Sequence, residues 1–276
     1  MGIFGINYNR PGPGVDINAP KKRGVSRFIE LLTREFADLV KLNLLLCAFA
    51  LPSVALFFTG LFGVGGWLSG RVAFALSVLA ALPVGGALTA GFFCLTRMLR
   101  DDPDYLLHGF IRKFRENAAQ AALPGMLYTS FAYTQIYLWI SMISGTKPPG
   151  YGTLALLIVT GVFIEMTAPY LFLQIAHLSL KTTPILINSI LMSIKDAPKS
   201  LCGMIMGRLF LIATVLYFPL SVWWSPFILL LGFSLSWLIN LMWIWPGVDK
   251  VFSISETLKA RREETLKETE AVFTRS

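Results

Sequence analysis

Two ionisable residues, Glu165 and Arg208, stand deep inside apolar stretches of this 276-residue chain, in company with the amides Asn43, Gln135 and Asn240. A charge at the centre of a lipid bilayer costs at least about 2.5 kcal/mol on insertion scales, so each demands a partner and each is a suspect for function. Glu165 and Arg208 fall on consecutive apolar runs that must cross in opposite directions. Counted from expected helix ends at Leu180 and Ser200, at about 1.5 Å per residue, Glu165 stands roughly 22 Å and Arg208 roughly 12 Å from the loop between them. Contact then requires an extended Arg side chain, close approach at Gly203 and Gly207, and a kink at Pro169. Gln135 or Asn240 are the substitute partners for Glu165. Two roles are open: a pair that fixes the packing of the bundle, or a polar site near the membrane midplane.

The residues that usually carry catalysis do not assemble into a set. His108 and His177 are the only histidines, and neither lies in an H-E-x-x-H pattern that would bring a second metal ligand and a base. There is no G-x-S-x-G elbow and no G-x-x-x-x-G-K-[ST] phosphate loop. Cys47, Cys94 and Cys202 are odd in number, lie in or beside apolar runs and form no C-x-x-C pair, so they read as small buried hydrophobes. Gly60, Gly63, Gly65, Gly66 and Gly70 make a flexible turn, with no strand before it and no nucleotide-binding helix after it. The expectation is a protein that is not an enzyme, with no catalytic residues, no metal and no cofactor.

The elements that hold these residues follow from composition. Hydrophobic residues make up 55% of the chain and charged residues 14%, with a mean hydropathy of +0.63. A soluble domain keeps more charge on its surface. A helix needs about 20 apolar residues to cross a hydrocarbon core of about 30 Å. Six runs reach that length: 38–58, 72–96, 122–143, 153–180, 201–222 and 227–245. The fold class expected is all-α, a polytopic membrane bundle of about six transmembrane helices with cytoplasmic amphipathic helices. Residues 1–24 read as an extended cytoplasmic segment, because Pro11-Gly12-Pro13-Gly14 cannot continue a helix. Residues 25–36 read as an amphipathic helix, 37–246 as the six-span domain and 247–276 as a charged cytoplasmic tail. No short apolar core with a cleavage site precedes the first run, which is expected to serve as its own membrane signal.

The net charge of +8 is not distributed like that of a nucleic-acid-binding protein. Of 24 Lys and Arg, 21 fall before or at the start of the first run, in the second and fourth connections and in the tail. Only Arg71 and Lys147 lie in the opposite connections, and Arg208 lies within a run. This asymmetry places both termini in the cytoplasm and suits a bilayer with anionic headgroups as partner. Trp139, Trp223 and Trp224 near one boundary, and Trp243 and Trp245 near the other, read as interfacial anchors.

Val25, Phe28, Ile29, Leu32 and Phe36 recur at helical spacing, giving a helix that lies in the membrane interface or packs on the cytoplasmic loops. The two basic connections resemble each other. Leu99-Arg100-Asp101-Asp102-Pro103 matches Leu180-Lys181-Thr182-Thr183-Pro184, and Phe114-Arg115-Glu116 matches Ile194-Lys195-Asp196. In each, an Asp or Thr can cap a short helix that opens on proline. Internal duplication and chance likeness of two capped basic helices both account for the match. The first loop helix offers Phe110 and Phe114, or the basic face of Arg112, Lys113 and Arg115, to a partner protein or to lipid; Lys195 is its counterpart in the second.

Three stretches carry a resemblance to a known family. Asn7 to Val15, the run Lys41-Leu42-Asn43-Leu44 leading to Pro52, and Phe114 through Gln120 resemble the YesL family of Gram-positive membrane proteins, over most of the chain. The resemblance implies a bacterial cell-membrane location and an association with carbohydrate ABC importers, whose subunits become candidate partners. It brings no catalytic or binding residues. The function expected is a non-enzymatic membrane subunit or accessory factor of such an uptake system, contacting partners through the two loop helices. The alternative is a self-contained carrier with a polar site near Glu165 and Arg208.

The charge asymmetry is directly testable. In a background with the three native cysteines replaced, Arg112→Cys and Lys195→Cys should be labelled by an impermeant maleimide only after the membrane is opened, whereas Lys147→Cys should be labelled in intact cells. The reverse pattern would overturn the topology.

Overall fold

The computed structural model describes residues 24–63, 70–102, 105–143, 145, 150–216, 225–258, 260, 264 and 267. The N-terminal segment expected to be extended, and most of the charged tail, lie outside the described residues. Within them every regular element is helical. In chain order these are α1 (Gly24–Arg34), α2 (Phe36–Phe62), α3 (Gly70–Ala80), α4 (Leu82–Arg100), α5 (Leu106–Ile143), α6 (Tyr151–His177), α7 (Thr182–Lys195), α8 (Ala197–Leu216), α9 (Ser225–Phe227), a π-helical turn (Ile228–Gly232) and α10 (Phe233–Phe252). Among the described residues four helical segments are long and apolar enough to cross a membrane: Phe36–Phe62, Leu82–Arg100, Tyr151–His177 and Ile228–Phe252.

The helices differ from the expected runs where proline and local capping intervene. The run 72–96 is two helices that part at Ala81. Pro83 sits in the first turn of α4 and has no N–H to return to the carbonyl of Leu79, so the ladder cannot pass through. In contrast, the first loop helix does not end before the third run. Residues Leu106 to Ile143 form one helix of 38 residues, about 57 Å long, nearly twice a hydrocarbon core. The last helix continues to Phe252, past the expected boundary at 246, with Val248 and Ile254 buried. Trp245 is buried against His177 and Arg100 instead of anchoring at an interface, while Trp243 remains exposed. Cys202 is exposed, Cys94 buried and Cys47 between the two.

Two helices form the centre. Every residue of α4 from Gly85 to Met98, and every residue of α6 from Thr167 to Ala176, is buried. Glycine lets α5 come against α4: a Cβ on Gly85 would collide with the backbone of Ala121, and Gly125 meets Gly85 face to face. On the other side α8 lies on α10, where a Cβ on Gly207 would stand 2.6 Å from the Ser236 carbonyl oxygen. The helix α7 packs across the buried half of α6, with Thr167 and Ser193 hydroxyls 3.2 Å apart and Gln174 Nε2 on Met192 Sδ.

Asn43 of α2 secures the π turn. A π turn breaks the regular ladder and leaves backbone groups without their usual partners. Asn43 Nδ2 donates to the carbonyls of Ile228 (3.1 Å) and Leu229 (2.7 Å), and its Oδ1 accepts from the N–H groups of Phe233 (2.8 Å) and Ser234 (2.9 Å). One buried side chain thus replaces the missing bonds.

The C-terminal ends of α4, α6 and α10 gather at one end, together with α1 and the start of α5; this is the basic end. Arg27 Nη2 and Arg34 Nη2 both donate to Asp101 Oδ1, at 2.6 and 2.5 Å, and also reach the carbonyls of Leu99 and Met98. Burial works against the Arg34 charge, but its bonds to Asp101 and Glu35 outweigh this and hold the guanidinium above its ordinary pKa. Arg27 and Leu31 are the buried face of α1, whereas Val25, Ile29 and Phe36 point away exposed. That division gives α1 one side for the protein and one apolar side for its surroundings.

Overpacking a close contact costs about 1–3 kcal/mol, and more where backbone stands in the way. Gly85→Ala should therefore lower the thermal unfolding midpoint of the detergent-solubilised protein sharply. Gly152→Ala, where a Cβ meets nothing within 4 Å, should leave it unchanged or slightly raised.

Candidate functional site

The two ionisable residues of the apolar helices meet in one cluster. Glu165 lies 12 residues before the end of α6 at His177, and Arg208 lies 11 residues after the start of α8 at Ala197, which places them about 18 and 16 Å from the basic end of their helices. The expected mismatch of heights arose from helix ends taken at Leu180 and Ser200, and it vanishes with the observed ones. Arg208 Nη2 donates to Glu165 Oε2 at 2.6 Å and Nε donates to the same oxygen at 3.1 Å. The other carboxylate oxygen, Oε1, accepts from the Tyr128 hydroxyl of α5 at 2.9 Å. Arg208 Nη2 also lies 3.4 Å from that hydroxyl, and Nη1 reaches Ser236 Oγ of α10 at 3.4 Å. The guanidinium carbon stands 4.4 Å from the ring centre of Trp237, a cation over an aromatic face.

Four helices, α5, α6, α8 and α10, are therefore joined through one ion pair. Both oxygens of Glu165 are engaged, and the pair is neutral as a unit. The side chains keep 29% and 18% of their accessibility, so the cluster borders open space. On one side lies a lateral groove of about 240 Å³, walled by Leu157, Ile158, Met204 and Ile205, with Gln135 and Trp139 at its edge and Glu165 and Arg208 at its floor. On the other side, a groove of about 400 Å³ between α5, α6 and α7 has Tyr128 in its wall.

Neither substitute partner reaches Glu165. Gln135 Nε2 donates to the Leu157 carbonyl (3.2 Å) and to Thr160 Oγ1 (3.3 Å), pinning α5 to the outer part of α6. Asn240 is buried where α10 crosses Gly203. Asn43 is committed to the π turn. Sequence reasoning missed Tyr128, Ser236 and Trp237. The likeness of the two connections, carried onward by 80 residues, places Tyr128 opposite Arg208, and this was the available signal for Tyr128. A second buried polar contact, Thr96 Oγ1 to His177 Nε2 at 2.9 Å, ties α4 to α6 nearer the basic end.

The loop helix does not present the aromatic residues expected on its partner face. Phe110 is 1% exposed, and Phe114 stacks on Phe49 at 4.7 Å between ring centres and packs over Gly86. The apolar side of this helix is consumed by α2 and α4. Lys113 turns back as well, pairing with Glu116 at 2.7 Å and lying over Phe93. Arg112 and Arg115 remain exposed, beside Leu107 and Ile111, and Lys195 is exposed at the end of α7. Among the described residues no group of three His, Cys, Asp or Glu side chains is placed to hold a metal ion.

Removing one member of a buried ion pair typically costs 3–5 kcal/mol, because the other charge is left alone. Glu165→Gln or Arg208→Gln should each reduce folded protein recovered from membranes by at least several-fold, while Glu165→Arg with Arg208→Glu should recover part of the loss. A double swap no better than the worse of Glu165→Arg and Arg208→Glu alone would show that the pair does not govern folding. Tyr128→Phe, which leaves the pair intact, should cost about 1–2 kcal/mol in thermal stability.

No protein-family model, curated protein or solved structure matches the chain.

Proposed function

We propose that the chain is a non-enzymatic, multi-pass membrane subunit or accessory factor, with about six crossings and both termini in the cytoplasm of a bacterial cell. The observation that carries this reading is α5. It is long enough to cross a bilayer and still extend its first part beyond it as the same rigid helix, with Leu107, Ile111, Arg112 and Arg115 exposed. An apolar pair beside two guanidinium groups at the end of such a rod is a surface for a protein partner. The buried Phe110 and Phe114 anchor the rod to α2 and α4, and so give that surface a fixed position. The count of 21 basic residues against two supports the orientation. The link to carbohydrate ABC uptake rests on the likeness of Asn7 to Val15, Lys41 to Pro52 and Phe114 to Gln120 to the YesL family.

A second reading, a self-contained carrier, is favoured by one observation: Glu165 and Arg208 form the floor of a groove in the middle of the apolar helices. Ionisable groups at such depth mark substrate pathways in many transporters. The complete set of bonds around the pair favours the packing role.

Affinity purification after mild detergent extraction separates the two. The wild-type chain should bring down ABC-importer subunits, and Arg112→Gln with Arg115→Gln should reduce their recovery by about tenfold, as expected for the loss of two charge-assisted contacts. Unchanged recovery and unchanged growth on the transported sugar would remove the partner role from this face. Uptake by the purified chain alone in liposomes would establish the carrier.

A further inference from the structure

The 400 Å³ groove has a shape and a setting that specify an occupant. Its walls are Leu127 and Phe131 from α5, Phe163 and Leu171 from α6, and Leu186 and Ile190 from α7. The lining on α6 spans eight residues, about 12 Å, which is the length of roughly ten methylene groups. At the basic end, Gln120 Nε2 donates to the Leu180 carbonyl at 2.7 Å, so α5 is joined there to the segment that leads into α7. Just beyond that bond, Thr182 and Thr183 line the mouth, and the neighbouring Lys181 is exposed. Along its length the groove is apolar apart from the hydroxyls of Tyr128 and Thr167, which are bonded to Glu165 and Ser193, and Thr182, Thr183 and a cation stand together at one end.

We infer that this groove holds one acyl chain of an anionic phospholipid from the leaflet at the basic end, with the phosphate at Lys181, Thr182 and Thr183. Three observations select this occupant. The groove opens beside α6, a helix long and apolar enough to span a bilayer, and its lining is predominantly apolar, so the medium facing it is lipid. Leu123, Leu127 and Leu186 are exposed within it, and their burial by a hydrocarbon chain needs no change in the protein. The single cation lies at the end where the basic residues of the chain gather, and therefore where a headgroup of opposite charge is drawn. The chain would lie against the ring of Tyr128, whose hydroxyl holds Glu165, so occupancy braces the ion-pair cluster from the side opposite the smaller groove. The site does not depend on the partner role proposed above.

The test is native mass spectrometry of the purified full chain, delipidated and then exposed to equal amounts of phosphatidylglycerol and phosphatidylcholine. One phosphatidylglycerol should be retained with a preference of about fivefold, the value expected for one lysine near a phosphate. Lys181→Gln should abolish the preference while leaving a weak adduct of either lipid. Leu127→Trp with Ile190→Trp, which fills the groove, should remove the adduct. Ile205→Trp, in the smaller groove, should leave it in place, and controls for the general effect of an added indole. Equal retention of the two lipids by the wild type, or the same retention by the filled variant, would overturn the assignment. Should the double variant fail to fold, Thr183→Glu provides the check. A carboxylate at the mouth should reverse the preference, and no change would count against the site.

Discussion

Everything in this bundle is arranged around the requirement that Arg208 not face hydrocarbon alone. The requirement is met by Glu165 on the neighbouring helix, and its consequences spread from there. Tyr128 orients the free carboxylate oxygen, Ser236 receives the far arm of the guanidinium, and Trp237 covers its face. Each of these groups belongs to a different part of the chain, so a single neutral pair sets the relative positions of α5, α6, α8 and α10. Gly207 belongs to the same device. With no side chain beside Arg208, α8 can settle onto the Ser236 backbone, and only then does Nη1 come within reach of the Ser236 hydroxyl. Helices in lipid gain nothing from excluding water between them, which leaves close packing at small residues and polar contacts as the sources of specificity. This cluster uses both at one crossing.

The likeness of the two basic connections extends into three-dimensional contacts. Thr96 bonds His177, 81 positions later, and Tyr128 meets Arg208, 80 positions later. Both contacts join positions that the match of the two connections sets side by side. The two connections differ in where their helices break. In the first, the crossing is interrupted at Ala81 and the loop helix flows into α5 without a stop. In the second, α6 is continuous from Tyr151 to His177 and the break comes at Asp196, between α7 and α8. The first connection thereby has a rod that reaches from the ion pair to the basic end, and the second a separate helix with a groove beside it.

How much of this was legible follows from how rare each signal is. A glutamate and an arginine in long apolar runs stand out, and their pairing could be raised from sequence, although the assumed helix ends at Leu180 and Ser200 misplaced their heights. Hydroxyls do not stand out. Thr89, Thr129, Thr134 and Thr160 all bond the carbonyl four residues back in their own helices, so a Ser or Tyr in such a run gives no sign of a distant partner. Tyr128 and Ser236 were hidden among them. The apolar stripe of the first loop helix was legible as a face to be covered. What covers it was not, because Phe49 lies on a helix that nothing local connects to Phe110 and Phe114. The π turn has no signature in Ile228-Leu229-Leu230-Leu231-Gly232. Only the amide of Asn43, conspicuous in an apolar stretch, marked the other half of that contact.

The continuity of α5 connects these features. Tyr128 at the ion pair, Gln120 at the mouth of the larger groove and the exposed Arg112 and Arg115 all stand on one helix, spread over about 24 Å. Pro124 interrupts the ladder between Tyr128 and Gln120, and a proline alone would make this the place where the rod bends. Gly125 follows at once, pressed on Gly85 of the fully buried α4, and Ala121 abuts the same glycine from the other side of the proline. The weak point of the rod is therefore clamped against the most buried helix of the bundle. At the basic end α4 is held in turn by Arg27 and Arg34 on Asp101. The polar cluster, the groove and the basic end are thus mechanically one body, and any partner that grips α5 acts on all three.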